Sequence, residues 1–172
     1  AFMLIAAMNP CPCGYRGDPN RDCQCTVPQI ERYMSKISGP LLDRIDIHHE
    51  VSAVPFGELS ARQPGTSSAV IRQQVHVARE IQRKRFKKKG STGNMYNARM
   101  TSRDIRLYCQ IDSSTMELLR SAVSNLGLSA RAHDKVLRVA RTIADLDATD
   151  TLECQHLSEA IQYRLLDRKL WT

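Results

Sequence analysis

Apolar and polar positions change their rhythm along this chain. AFMLIAAM, residues 1–8, is apolar without alternation. A strand apolar on both faces belongs inside a parallel sheet covered by helices on each side. Residues 2–8 are therefore expected to form a buried strand. Asn9 stands at its carboxyl end, where ligands sit in open α/β sheets. Further on, Thr26-Val-Pro-Gln29 has the form of a capping box with Pro28 in the first turn. Ile30, Tyr33, Met34 and Ile37 follow at helical spacing, and Ser38-Gly39-Pro40 ends that helix. In RIDIHHEV, Ile45, Ile47 and Val51 alternate with polar residues, which predicts a half-buried strand.

The period then becomes helical. SARQPGTSS is a linker, and a helix is predicted from Ser68 to Lys89 with the stripe Ile71, Val75, Ala78, Ile81 or Gln82, and Phe86. Gly90-Ser-Thr-Gly93 ends it. Thr101 or Ser102 starts a short helix through Tyr108. Asp112 caps the next, with stripe Met116, Leu119, Val123 and Leu126, and Gly127 closes it. Ser129 caps a long helix carrying Ala132, Val136, Val139, Ala140 and Ile143. A final helix near 155–170 carries Leu157, Ala160, Ile161 and Leu165. The expected organisation is a piece of an α/β domain over 1–60, a basic linker helix over 61–100 and an all-α domain over 101–172. The first strand has no element before it, so the chain is expected to be part of a longer protein.

Charge sharpens this division. The net charge is +7. Residues 61–100 hold 10 basic and 1 acidic side chains, whereas 101–172 hold 10 of each. A positive field concentrated in one segment suggests a polyanionic partner. Its densest part, RKRFKKK, offers Arg83, Lys84, Arg85, Lys87, Lys88 and Lys89 as candidate DNA-phosphate contacts. Only Phe86 interleaves, so base stacking is not indicated. The alternative is a solvated helix end, where cations complement the helix dipole. No apolar run reaches the roughly 18 residues of a membrane span, and a cytoplasmic protein without a membrane partner is expected.

Six cysteines in a cytosolic chain are not a disulfide framework. Cys11, Cys13, Cys23 and Cys25 form C-x-C-x₉-C-x-C on a loop nearly devoid of apolar residues. Four thiolates suit tetrahedral zinc, which would hold such a loop together. Zinc knots more often use C-x₂-C pairs, and reduced thiols in an ordinary loop are the alternative. Cys109 and Cys154 read as buried small residues. The five histidines show no ligand spacing and read as surface or packing residues.

Three further residues invite a chemical reading. Asn9 can orient a water or a phosphate oxygen, or simply start the turn before Pro10. Arg44 follows Gly39-Pro40-Leu41-Leu42 and precedes a strand, so it either projects or pairs with Asp43 or Asp46. Arg131 lies in the first turn of a helix, where a cation opposes the dipole. It makes sense there with an anion bound jointly by the guanidinium and the free N–H groups.

MNPCPCG, RYMSKISGPLLDRIDIHHEV, LGLSARAHDKVLRVARTIADL and HLSEAIQYRLLDR together resemble the carboxy-terminal part of the ComM/YifB-type, magnesium-chelatase-related AAA+ ATPases. The resemblance covers essentially the whole chain. It implies an α/β P-loop AAA+ core, of which this is the carboxy-terminal part, followed by an all-α helical lid. It also implies that Asn9 is sensor 1, that Arg44 is the arginine finger reaching a neighbouring subunit's ATP, and that Arg131 is sensor 2 in the lid. The implied whole is a hexameric motor using ATP and Mg²⁺, acting on branched or single-stranded DNA as a branch-migration helicase. The alternatives are the ATPase subunit of a magnesium chelatase-like complex and a non-catalytic DNA-binding or nucleotide-binding scaffold. The chain contains no G-x-x-x-x-G-K-[ST] loop and no apolar run ending in Asp-Glu. These 172 residues alone are therefore expected not to turn over ATP. In the implied sheet order 5-1-4-3-2, the strands at 2–8 and 45–51 flank a missing one. Residues 1–50 are then expected to be disordered, mispaired or packed against another chain unless the upstream part is supplied, and 101–172 to fold as a compact helical unit regardless.

Overall fold

The computed structural model describes residues 3–51, 54, 57, 65–87 and 96–164. These divide into two compact units. Asp43–His49 belong with 65–87 and 96–164, and the other described residues form the first unit. Among the described residues no helix is long and apolar enough to cross a membrane.

In the first unit, α1 (Val27–Met34) starts where the capping box predicts, the Thr26 N–H donating to Gln29 Oε1 at 2.9 Å. Its buried residue is Met34, and the one-turn helix α2 (Gly39–Leu42) buries Leu42. Neither predicted strand forms among the described residues. Met3 and Ile5 are each 83% exposed. In the second segment the alternation is inverted: His48 is buried, whereas Ile47 and Val51 are exposed. The expectation of a buried strand and a half-buried one is corrected accordingly. A strand satisfies its N–H and C=O groups only through a neighbour, and neither segment has one among these residues.

The second unit is helical: α3 (Ser68–Lys87), a 3₁₀ turn (Asn97–Arg99), α4 (Ser102–Tyr108), α5 (Ser113–Leu126), α6 (Ala130–Leu146) and α7 (Cys154–Gln162). The caps are those the sequence announces. Thr101 Oγ1 accepts from the Asp104 N–H at 3.3 Å, Asp112 Oδ1 from Thr115 N–H at 2.8 Å, and Ser129 Oγ from Ala132 N–H at 3.1 Å. Gly127 closes α5 at φ 61°, a left-handed conformation that disfavours any side chain with a Cβ. The ends of α3 and α7 predicted at Lys89 and near 170, with Gly90, Gly93 and Leu165, lie outside the described residues.

Helix α6 is the spine. It packs on α7, α3, α4 and the 3₁₀ turn, and it buries Ala132, Val136, Leu137, Ala140, Ile143 and Ala144. Phe86, Ile105, Leu119 and Leu157 complete the core. Burying one such Leu or Phe contributes about 1.5–3 kcal/mol. Helix α3 enters this core only with its carboxyl half. Ala78, Gln82 and Phe86 are buried, while Ile71 and Val75 remain about half exposed. Of the two residues the stripe leaves open, Gln82 faces inward.

A polar knot ties the basic helix to the spine. Asp145 is fully buried and accepts two bonds from Arg85, one from Asn97 at 2.7 Å and one from Arg141 Nε at 3.2 Å. Two guanidinium groups around one carboxylate leave the knot with net positive charge. Arg141 relieves part of that by donating to the Asp150 carbonyl at 2.8 Å. The knot is satisfied on every arm, as a buried charge requires.

Candidate functional site

The four clustered cysteines come together in the first unit. Cys11 Sγ lies 3.3 Å from Cys13 Sγ and 3.6 Å from Cys23 Sγ, and Cys13 Sγ lies 3.6 Å from Cys23 Sγ. With Cys25, all four sulfurs fall within 4.8 Å of one another, and all are free thiols. Four thiolates at about 2.3 Å from a tetrahedral zinc stand about 3.8 Å apart, so the donor set fits that ion in number, chemistry and spacing. Local turns build the cluster. The Gly14 N–H closes a turn on the Cys11 carbonyl at 3.1 Å, and Gly14 and Gly17 adopt φ of 85° and 81°. Arg21 braces the loop by donating to the Tyr15 hydroxyl at 2.8 Å and lying over its ring. The Tyr15 N–H, then the Cys11 thiol, hold the Cys13 thiol down at about 6, whereas burial and the Cys13 sulfur push Cys25 up to about 12.

Asn9 is exposed at the start of this loop. Its side chain lies 3.9 Å from the position a Cβ on Gly14 would occupy. The residue offered as a water-orienting group thus abuts the cysteine turn.

Arg44 and Arg131 occur in the second unit, and both are exposed. Arg131 lies in the first turn of α6, next to the Ser129 cap. Arg44 lies on Asp43–His49, a non-helical strap laid against α6 and the residues after α7. Ser129 Oγ donates to Asp43 Oδ1 at 2.9 Å. Lys135 donates to the Arg44 carbonyl and pairs with Asp46 at 2.8 Å. Arg164 donates to the Ile45 carbonyl, and the His48 N–H donates to the Tyr163 carbonyl at 2.9 Å. Residues far apart in sequence thus bring two exposed arginines onto one body.

The basic helix splits into two kinds of cation. Arg83, Lys84 and Lys87 are exposed, with Arg83 pairing Glu80 one turn back. Arg85 is turned inward: its side chain is 11% exposed and its guanidinium is committed to Asp145. Lys88 and Lys89 lie outside the described residues.

Comparison with known proteins places this assembly. The family described as magnesium chelatase, subunit ChlI, matches residues 1–59. Its companion, magnesium chelatase, subunit ChlI C-terminal, matches residues 65–164. This chain belongs to the magnesium chelatase ChlI family. Within that family it is 46% identical over 171 residues to the protein YifB of Escherichia coli K12 and 41% identical over 172 residues to competence protein ComM of Haemophilus influenzae. Both alignments cover 98% of this chain. The chain spans about a third (32%) of the length of these relatives. The junction between the two family matches falls at residues 60–64, inside the linker expected from SARQPGTSS.

The strap contacts of this ChlI-family chain are not visible in its sequence. There Lys135 looks like one more polar residue on α6, and Arg164 like one more cation on the last predicted helix. The available signal is the i, i+4 spacing of Arg131 and Lys135, which puts both on one helix face. Cys154, expected to be buried, is exposed, because it begins α7 on the outer side of its stripe; Cys109 is buried as expected. Burial pushes the Cys109 thiol up to about 11.

Proposed function

We propose that these residues are the sensing and finger-bearing portion of an ATP-hydrolysing AAA+ motor that acts on DNA in the cytoplasm as a homo-hexamer. The single observation that carries this reading is the exposure of Arg44 and Arg131 on one body, Arg44 on a strap pinned through its own backbone. A finger must project from a rigid support to place positive charge on a transferring phosphoryl group, and such an arginine is worth about 10³–10⁵ in rate in GTPases. In this reading Arg131 contacts nucleotide from the lid, and Asn9 orients the attacking water. ATP is the substrate. The chain carries no phosphate loop or Asp-Glu strand end to hold Mg²⁺. Zinc on Cys11, Cys13, Cys23 and Cys25 would be structural, cross-linking the turn beside Asn9. The relative named a competence protein supports a link to competence; in this reading the work done is branch migration on incoming DNA. The exposed cations Arg83, Lys84 and Lys87 supply phosphate contacts; Arg85 anchors their helix.

The test is the full-length protein with branched and single-stranded DNA. ATPase should rise on adding DNA, and changing Arg83, Lys84 and Lys87 to Gln should weaken binding equally across sequences. The same change should flatten the dependence of log K on log[salt] by up to about 0.9 for each duplex phosphate that the protein no longer neutralises. ATPase indifferent to DNA, with an unchanged salt slope, would favour the ATPase subunit of a magnesium chelatase-like complex, in line with the family description.

A further inference from the structure

The strap Asp43–His49 has no regular secondary structure, and it follows a helix of only one turn. Its shape is therefore set by what grips it. Two cations do most of the gripping. Lys135, its side chain only 13% exposed, spans from the Arg44 carbonyl to the Asp46 carboxylate. Arg164, its side chain 1% exposed, reaches the Ile45 carbonyl and lies 3.9 Å from Asp43. Ser129, the cap of α6, holds Asp43 from the other side. The chemistry is complementary at each point: acidic strap residues and strap carbonyls face donors from α6 and from the residues just past α7.

An ordinary surface ion pair between Lys135 and Asp46 would contribute little and would position nothing. Two facts set this lysine apart. It is largely shielded from water, and its second bond goes to the main chain of the residue read as the finger. A carbonyl held there fixes the Arg44 backbone, and the guanidinium is then aimed from a defined root. Lys135 also sits one turn past Arg131 on the same face of α6. The helix that carries the lid arginine therefore carries the root of the finger.

We propose that Lys135 is a positioning residue for Arg44, locking the finger strap to the lid helix so that the two arginines move as one piece. This rests on the reading of Arg44 as the arginine finger. A shift of α6 in response to nucleotide then displaces the finger by the same rigid motion. Arg164 supports the strap at the next carbonyl.

The experiment uses the full-length protein, comparing Lys135→Met, Lys135→Arg, Asp46→Asn, Arg44→Ala and the Lys135→Met/Arg44→Ala double variant. Turnover is measured by single-turnover ATPase and ATP affinity by calorimetry. Lys135→Met should lower the rate about 10-fold or more, since misplacing a catalytic group by about 1 Å can cost 10²-fold. Its ATP Kd should stay within about threefold, the split expected when an interaction made only in the transition state is removed. Lys135→Arg, which can still reach the carbonyl, should recover most of the rate. Asp46→Asn, which leaves the carbonyl bond in place, should cost less than Lys135→Met. In the Arg44→Ala background, Lys135→Met should add little, because it acts through a side chain already gone. An unchanged rate in Lys135→Met would overturn the proposal, as would a loss that repeats in full on top of Arg44→Ala. Normal turnover by Arg44→Ala alone is a different result, and it removes the finger assignment on which the proposal stands.

Discussion

Four sulfurs drawn within 4.8 Å of one another, on a loop with one sizeable apolar side chain, need something to hold them. Thiols repay little for the entropy of ordering such a loop, whereas a bound zinc makes its binding energy available to folding. Protein purified without chelator should contain one zinc per chain by elemental analysis, and Cys11→Ser should lose it. A zinc content near zero with four freely alkylated thiols would refute the site. The cysteine spacing is legible in the sequence, but it does not decide the ligand set. C-x-C pairs constrain less than C-x₂-C pairs, and only the folded loop brings both pairs onto a common centre. Arg85 is the opposite case. Six cations in seven positions look alike in a sequence, and which one turns inward depends on a carboxylate 60 residues away.

At the scale of elements, α4, α5 and α6 are the most legible. Thr101, Asp112 and Ser129 are strong caps, and Leu119, Val136 and Ala140 of the predicted stripes are buried, while Met116 stays exposed. Legibility fails where an element needs a partner. RIDIHHEV alternates as a strand should, yet alternation selects a face only when there is a sheet to face. Here the backbone of the strap bonds side chains of α6 and its neighbours, and His48 turns inward in place of Ile47. The fold of the second unit makes its own prediction. Asp145→Asn should destabilise it by about 3–5 kcal/mol, because it strands two guanidinium groups without a counter-charge. Arg85→Met should cost less, since Arg141 still pairs with Asp145. Urea unfolding monitored by circular dichroism measures both, and a change under about 1 kcal/mol for Asp145→Asn would show that the knot is not stabilising.

For the whole molecule, membership of the magnesium chelatase ChlI family and the two family segments, 1–59 and 65–164, set the frame. The helical unit packs its own core around α6, whereas residues 3–8 of the amino-terminal apolar run stay exposed. The family is legible because GPLLDRIDIH and SARAHDKVLRVARTIADL are specific strings. The support of Arg44 is not, because it depends on bonds across roughly ninety positions, from Asp43 to Ser129 and from Arg44 to Lys135. On the proposed reading, Arg44 acts on nucleotide during turnover and contributes little to holding it. Measuring kcat and ATP affinity for Arg44→Ala in the full-length protein separates these two roles. Its kcat should fall on the order of 10³-fold with ATP affinity nearly unchanged. Turnover at the rate of the unaltered protein would contradict that reading.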